Sequence, residues 1–189
     1  MAVDTLKRLT VEKYLEHERR AETRSEYLDG EVFAMTGASF RHNLLVANVL
    51  VALASRLRGG SCQAVANDQR VHIPTTGLFT YPDVVVVCGE PEFLDAEVDT
   101  LLNPTLIVEV LSKSTADYDR GGKFAHYRAL PSLREYLVLA QERAHAEHSV
   151  RQGDGRWLLA ETDDPAAALR LEAIGCELPL GAVYEGVLG

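Results

Sequence analysis

Cysteine is scarce in this sequence, and its spacing fits no metal site. The chain has three cysteines, Cys62, Cys88 and Cys176, and none of them lies in a CxxC pair. An odd number of widely separated cysteines argues against a disulfide-stapled scaffold and a zinc ribbon. We therefore expect all three thiols to be reduced, as in a cytoplasmic protein.

Long hydrophobic runs are also missing. The strongest apolar run, Val84 to Cys88, is far shorter than the ~18 residues that a membrane-spanning helix needs. The start of the chain, from Met1 to Arg8, has no apolar stretch behind a basic region and so no visible secretory signal. We expect a cytoplasmic protein with no membrane association.

Basic residues are outnumbered. The 19 Lys and Arg residues face 28 Asp and Glu residues, which gives a net charge of -9. Proteins that grip nucleic acid through a broad electrostatic surface are usually basic, so a coat protein or repressor is disfavoured. An enzyme that contacts a phosphodiester through a metal ion is still compatible with this charge, because the cation reverses the local field.

The residues that are present favour one mixed α/β domain. The chain has 189 residues, of which 47% are apolar and 25% charged, which suits a single globular domain covering residues 1–189. Helical periodicity and caps predict helices over about 10–22, 39–58 and 114–129. Extended patterns and turn signals predict strands over 62–66, 69–73, 84–87, 106–111, 135–140 and 169–171, with hairpins over 25–35 and 146–161.

Two acidic residues stand in unusually apolar surroundings. Asp83 precedes four valines, and Glu109 lies inside the strand from Leu106 to Leu111. A desolvated carboxylate without a partner would cost on the order of several kcal/mol there. One interpretation is a structural ion pair with an arginine. The other is that adjacent strands bring the two carboxylates together around a divalent cation, for which oxygen ligands of this kind favour Mg²⁺ or Mn²⁺.

Several segments taken together resemble one known family. They are Glu26 to Glu31, His42, Tyr81 to Val86, Leu106 to Thr115, Asp119 to Phe124 with Tyr127, Leu133 to Tyr136, and Glu177 to Leu180. In these segments the chain resembles the Uma-two-type restriction endonucleases of the PD-(D/E)XK nuclease superfamily. The resemblance spans nearly the whole chain and is far more specific than the acid pair alone.

The resemblance implies a restriction-endonuclease-like core, a central mixed sheet flanked by helices with the acids at one edge. It implies that Asp83 and Glu109 are metal ligands and that the backbone carbonyl of Val110 completes the metal shell. It also implies that Glu31 is an additional acid of the active site. His42, near the start of the long helix, is interpreted as a structural residue.

The active-site lysine departs from the superfamily pattern. A Glu-x-Lys motif would place lysine at position 111, where this chain has Leu111. In the resembled family the lysine is taken to have moved to the following helix, which matches Lys123. A helix there puts Asp119, Lys123 and Tyr127 on one face, four residues apart. The alternatives are a salt bridge between Lys123 and Asp119, and a catalytic role for Lys113 instead.

The segment from 109 to 134 contains more basic than acidic residues. Within it, Lys113 and Arg120 are predicted to bind substrate. The function that follows is a Mg²⁺-dependent endonuclease (or one that uses Mn²⁺) that hydrolyses phosphodiester bonds in DNA. Cleavage of both strands from one site per chain would favour a homodimer. Two alternatives stay open: an inactive nuclease fold that acts as a binding or assembly module, and a metal-dependent hydrolase of small phosphoesters.

Overall fold

Strands and helices alternate along the chain. The computed structural model describes residues 8–66, 68–112 and 116–188. The strands are β1 (Ser25–Leu28), β2 (Glu31–Ala34), β3 (Cys62–Ala66), β4 (Arg70–Ile73), β5 (Leu78–Thr80), β6 (Val84–Cys88), β7 (Thr100–Leu101), β8 (Leu106–Leu111), β9 (Glu135–Ala140), β10 (Ala146–Arg151), β11 (Trp157–Thr162), β12 (Ala168–Leu171) and β13 (Cys176–Pro179). The helices are α1 (Val11–Glu18), α2 (Phe40–Leu57), α3 (Ala116–Tyr118), α4 (Phe124–Tyr127) and α5 (Leu180–Val183), with a π-helical segment (Asp119–Lys123) between α3 and α4 and a 3₁₀ turn (Glu172–Ile174). The predicted mixed α/β class is confirmed.

The central element is a six-stranded sheet with the order β11-β10-β9-β8-β6-β3. β8 lies near its middle, antiparallel to β6 and parallel to β9. All residues of β8 are buried, which explains why its sequence is apolar on both faces. The single acid in this strand, Glu109, is therefore placed in the interior by the sheet itself.

A second sheet has the order β2-β1-β5-β4-β7. The hairpin of β1 and β2 turns at Asp29 and Gly30, which both have positive φ angles of 50° and 90°. β1 also pairs with β5 through Tyr27 and Phe79, whereas β2 has no second neighbour in this sheet. A separate two-stranded sheet joins β12 to β13.

α2 covers one face of the central sheet. Ser39 caps the helix by accepting a hydrogen bond from the His42 N–H at 3.1 Å, which satisfies one of the free donors of the first turn. The apolar side of α2 packs against inward-facing residues of β6, β8 and β9, together with α5 and β13. The core here includes Leu45, Val49, Leu53, Val84, Val108, Val110, Leu137, Leu178 and Val183.

The other face of the central sheet packs against the second sheet and the segment from α3 to α4. This core includes Val71, Ile73, Leu78, Val85, Val87, Ile107, Leu111, Tyr127, Leu130, Leu133, Tyr136 and Val138. Residues of β6 and β8 with odd numbers point to this side, so Asp83 and Glu109 share it with α4.

The prediction that all cysteines are reduced is wrong for one pair. Cys62 and Cys88 form a disulfide with their Cα atoms 3.9 Å apart, and Cys176 is free. The cause is strand register, since β3 and β6 are antiparallel and place Cys62 directly opposite Cys88. Sequence spacing alone carries no information about this register.

Several short strands were not predicted from the sequence, because runs of two to four residues give too little periodicity. They are β5, β7 and β13. The predicted helix over 114–129 begins outside the described residues and continues from Ala116 to Tyr127, with the π-helical segment in its middle. In the part of the chain that the structure describes, no helix has the length and hydropathy to cross a membrane.

Candidate active site

Strand register brings Asp83 and Glu109 together. β6 and β8 pair with Val84 opposite Val108, so the next position along the ladder sets Asp83 opposite Glu109. Residues that face each other in an antiparallel pair project to the same side. The N–H of Val110 donates a hydrogen bond to Asp83 Oδ2 at 2.7 Å, which fixes this carboxylate against the end of β8.

Glu109 is buried and held by two donors. The residue is 3% exposed, the hydroxyl of Tyr127 donates to Oε1 at 2.7 Å, and Lys123 Nζ lies 3.0 Å from the same oxygen. Burial raises the pKa of Glu109 above its ordinary value, although the Lys123 ammonium opposes the rise. A cation bound beside Glu109 would favour the charged form of this carboxylate and would lower its pKa.

Lys123 lies between carboxylates from two different parts of the fold. Its ammonium is 3.1 Å from Glu26 Oε1 and 3.0 Å from Glu109 Oε1, with 7% of the side chain exposed. Burial by itself would lower the pKa of Lys123, but the surrounding carboxylates overcome it and hold the pKa well above the usual range. The distance from Lys123 to Asp119 is longer, 3.8 Å. The local salt bridge to Asp119 is therefore a minor contact of this lysine.

The π-helical segment that carries Lys123 contains Gly121 and Gly122. A Cβ atom at Gly122 would lie 2.8 Å from the ring of Tyr118, so glycine permits this close approach. The backbone carbonyl of Asp119 accepts a hydrogen bond from the Tyr136 hydroxyl at 2.9 Å. Single π-helical turns within α-helices are frequent at functional sites.

Of the two glutamates in the β1–β2 hairpin, Glu26 lies at the cleft, whereas Glu31, the predicted additional acid, does not. Glu26 lines the cleft, contacts Lys123 and accepts a hydrogen bond from the Thr80 hydroxyl of β5. Glu31 is exposed beside the Asp29-Gly30 turn and does not line the cleft. Both acids lie on the same face of the hairpin, because Glu31 pairs with Leu28 and Glu26 pairs with Phe33. The difference is that Glu26 is further from the turn and closer to β5.

His42, which the sequence predicts to be a structural residue, lies beside Asp83. His42 Nε2 is 3.2 Å from Asp83 Oδ2. Burial would lower the pKa of His42, but the hydrogen bond and charge of Asp83 give a net rise. The position follows from the Ser39 cap, which places the first turn of α2 at the edge of the cleft.

The two predicted substrate-binding cations are not both placed at the cleft. Arg120 Nε lies 2.7 Å from Glu147 Oε1 on β10, outside the residues that line the cleft. Arg120 sits on the π-helical segment with Lys123 but points to another side. Lys113 lies outside the described residues.

The cleft has a volume of about 1130 Å³. The acids Glu26, Asp83, Glu109 and Asp119 line it together with Lys123. Its walls are largely apolar and include Leu28, Phe33, Met35, Tyr118 and Leu111. The structure thus combines a buried charged floor with apolar walls.

Comparison with known proteins gives this arrangement a context. A family model described as "Uma2: Putative restriction endonuclease" matches residues 11–181. The chain belongs to this Uma2 family. Two curated relatives come from Synechocystis sp. (strain ATCC 27184 / PCC 6803 / Kazusa). The uncharacterized protein sll1609 is 39% identical over 85% of this chain and 91% of its own length. The uncharacterized protein slr1290 is 33% identical over 95% of this chain and 93% of its own length.

A solved structure shows the same fold as this Uma2 chain. It is the crystal structure of a putative nuclease belonging to DUF820 from Anabaena variabilis ATCC 29413. The TM-score is 0.77 at 15% sequence identity, and the match covers 95% of this chain and 99% of that one. The predicted resemblance to a nuclease fold and to the Uma-two-type family is confirmed.

The side chains of this Uma2 site fit a divalent cation. The Val110 N–H and His42 engage Asp83 Oδ2, and the Tyr127 hydroxyl and Lys123 engage Glu109 Oε1. Because the N–H and C=O of one strand residue project to the same side, the Val110 carbonyl also faces Asp83. Two carboxylate oxygens and a carbonyl oxygen are hard ligands of the type that Mg²⁺ and Mn²⁺ prefer.

Another group of possible ligands lies on β10, β11 and the residue that precedes β10. Candidate ligand atoms of His145, Glu147 and Glu161 are all within 4.8 Å of one another. His145 already contacts Asp163 at 2.7 Å and Glu147 at 3.3 Å, and Glu147 pairs with Arg120. His145 and Glu147 are therefore already engaged by protein contacts.

Proposed function

We propose that this protein is a metal-dependent endonuclease that hydrolyses phosphodiester bonds in DNA and uses Mg²⁺ or Mn²⁺. The observation that carries the proposal is the contact of Lys123 with Glu109, in the same cleft as Asp83. Two carboxylates that could hold a metal ion and a lysine that could stabilise negative charge on a phosphate thus share one cleft, in a family whose model is described as "Putative restriction endonuclease".

Asp83, Glu109 and the backbone carbonyl of Val110 would hold the metal ion. When bound, the ion would supply polarisation of the scissile phosphate and acidification of a water molecule. If a second ion binds, Glu26, which lines the same cleft, is the acid that could assist in holding it.

The protein groups around this position have separate roles in the proposal. The Lys123 ammonium would stabilise the negative charge that builds on the phosphate, or orient the attacking water. Glu26 and Tyr127 would act as positioning residues, since Glu26 holds Lys123 and the hydroxyl of Tyr127 holds Glu109. His42 would orient Asp83 through its Nε2 contact.

The proposal extends to the assembly. Residues 1–189 would act as one nuclease domain with one cleft. Cleavage of both strands of a duplex would then need two chains related by a two-fold axis. Analytical ultracentrifugation with and without a DNA duplex measures the oligomeric state directly. A chain that is monomeric in both conditions would exclude the dimer.

A plasmid nicking assay tests the activity. Wild-type protein should convert supercoiled plasmid to the nicked form with Mg²⁺ or Mn²⁺, and chelator should stop it. Asp83→Asn should remove nicking while circular dichroism shows an intact fold, and Leu158→Ala, on the exposed side of β11, serves as a control. If folded wild-type protein does not nick plasmid with any divalent ion, the proposed nuclease function is refuted. Hydrolysis of bis(p-nitrophenyl) phosphate without nicking would instead indicate a small-phosphoester hydrolase.

A further inference from the structure

The cleft walls differ from a surface built to grip a DNA duplex. Among the described residues that line the cleft, each cationic side chain already contacts a carboxylate: Lys123 contacts Glu26 and Glu109, His42 contacts Asp83, and Arg143 contacts Asp163. Duplex binding depends mainly on cations that neutralise phosphates. The described part of this cleft therefore offers its partner little unpaired positive charge.

Half-exposed apolar side chains flank the charged floor instead. Phe33 of β2 is 49% exposed, Met35 just after β2 is 39% exposed, and both line the cleft. Phe33 stands directly opposite Glu26 in the hairpin, so its ring lies beside the acid that holds Lys123.

A second ring comes from the helical side of the cleft. Tyr118 is 40% exposed, lines the cleft, and is the last residue of α3 before the π-helical segment. Glu26 lines the same cleft as Tyr118. Phe33 and Tyr118 thus come from separate elements and line one cleft together with Glu26.

We propose that the cleft binds unpaired nucleotides, with bases stacked on Phe33 and Tyr118 and a phosphate facing Asp83 and Glu109. Stacking on aromatic side chains is the usual way in which proteins hold single strands, and it tolerates any base because every base has a π-face. The walls supply affinity through ring contacts, and the acid floor supplies the reaction. This inference rests on the proposed nuclease function and names its substrate as a single strand or an unpaired stretch.

Fluorescence anisotropy tests the substrate class. Labelled DNA of about 12 nucleotides is titrated as a single strand and as a blunt duplex, with Ca²⁺ in place of Mg²⁺ to limit cleavage, and a single-stranded RNA of the same sequence forms a third arm. We expect the single strand to bind at least about tenfold more tightly than the duplex. We also expect a shallow salt dependence, because few phosphates meet an unpaired cation.

Substitution of the rings separates stacking from general apolar adhesion. Phe33→Ala and Tyr118→Ala should each weaken single-strand binding by about 5- to 150-fold, and Phe33→Trp should retain it. Leu158→Ala removes another exposed apolar side chain, 61% exposed on β11, and should leave binding unchanged. RNA that binds with the same dependence on the two rings would support the stacking model equally.

The outcomes distinguish this inference from the function on which it rests. Equal binding of duplex and single strand, or single-strand binding that both alanine variants retain, overturns the inference. If such protein still nicks plasmid in an Asp83-dependent manner, the nuclease proposal stands. If folded protein neither binds nor cleaves any of the nucleic acids, both proposals fail.

Discussion

Replacing Lys123 with methionine removes one ammonium and keeps most of the side-chain volume. The ammonium lies 3.0 Å from Glu109 and 3.1 Å from Glu26. At an effective dielectric constant of about 20, each contact is worth roughly 5 kcal/mol before the cost of desolvation. Breaking a buried ion pair on one side costs about 3–5 kcal/mol, because the partner charge is left uncompensated. This is a large share of the roughly 5–15 kcal/mol that stabilises a domain.

Urea unfolding at neutral pH measures this loss. Lys123→Met should lower the free energy of unfolding by about 3–5 kcal/mol. Lys13→Met, on the exposed side of α1, removes the same group from the surface and should change it by less than about 0.5 kcal/mol. The stabilisation by Lys123 persists through neutral pH, because its raised pKa keeps it charged until the pH rises above the ordinary lysine range.

The Lys123→Met variant also separates the effect on catalysis from the effect on stability. In the nicking assay, at a temperature where the variant is folded, its rate should fall by about 10²- to 10³-fold, the effect of one transition-state donor. Mn²⁺ binding by calorimetry should persist, since Asp83 and Glu109 are intact, and Lys113→Ala should lose little activity. A rate that falls only in proportion to the folded fraction would mean that Lys123 is purely structural. An unchanged unfolding midpoint would refute the energetic argument.

Three further outcomes are expected. Glu26→Gln should slow nicking by roughly 10- to 100-fold, because it weakens the contact that holds Lys123 in place. Glu31→Gln, at the exposed turn, should nick at the wild-type rate. Equal rates for the two variants would contradict the proposed role of Glu26. Glu109→Gln should abolish Mn²⁺ binding in calorimetry while the fold survives, and an unchanged affinity would show that this carboxylate is not a ligand. Burial lowers the pKa of His72, so the unfolded chain takes up protons more readily than the folded one and stability should fall as the pH drops below about 6.5. Urea unfolding across this range should show a weaker pH dependence in His72→Gln, and identical slopes would exclude His72 as the cause.

Much of the candidate site was visible in the sequence because each of its parts has a local signature. Glu109 stands out as an acid within a fully apolar strand, and Asp83 precedes the other apolar strand. Lys123 follows from helical spacing combined with the family resemblance. These signals depend on neighbours in the chain, so they could be detected without the fold.

The remaining features depend on contacts between distant segments. Glu26 and Glu31 share one face of a hairpin, and the choice between them is made by the approach of β5 and Lys123. Arg120 could not be separated from Lys123 by helical spacing, because the π-helical segment changes the angular relation between its residues. The Cys62–Cys88 pair likewise depends on the register of β3 and β6.

The parallel pairing of β8 with β9 has a consequence for the order of folding. The chain between these strands must cross over the sheet, and that crossover includes the helical segment with Lys123. Tyr136 of β9 holds this segment through its hydrogen bond to the Asp119 carbonyl, so we expect Lys123 to reach its place against Glu109 only when β9 has docked beside β8. During synthesis, a chain that has been made only as far as Tyr127 would contain every residue assigned to the site but would lack the strand that closes the crossover. In the proposed nuclease, catalytic competence would thus be delayed until the sheet is complete.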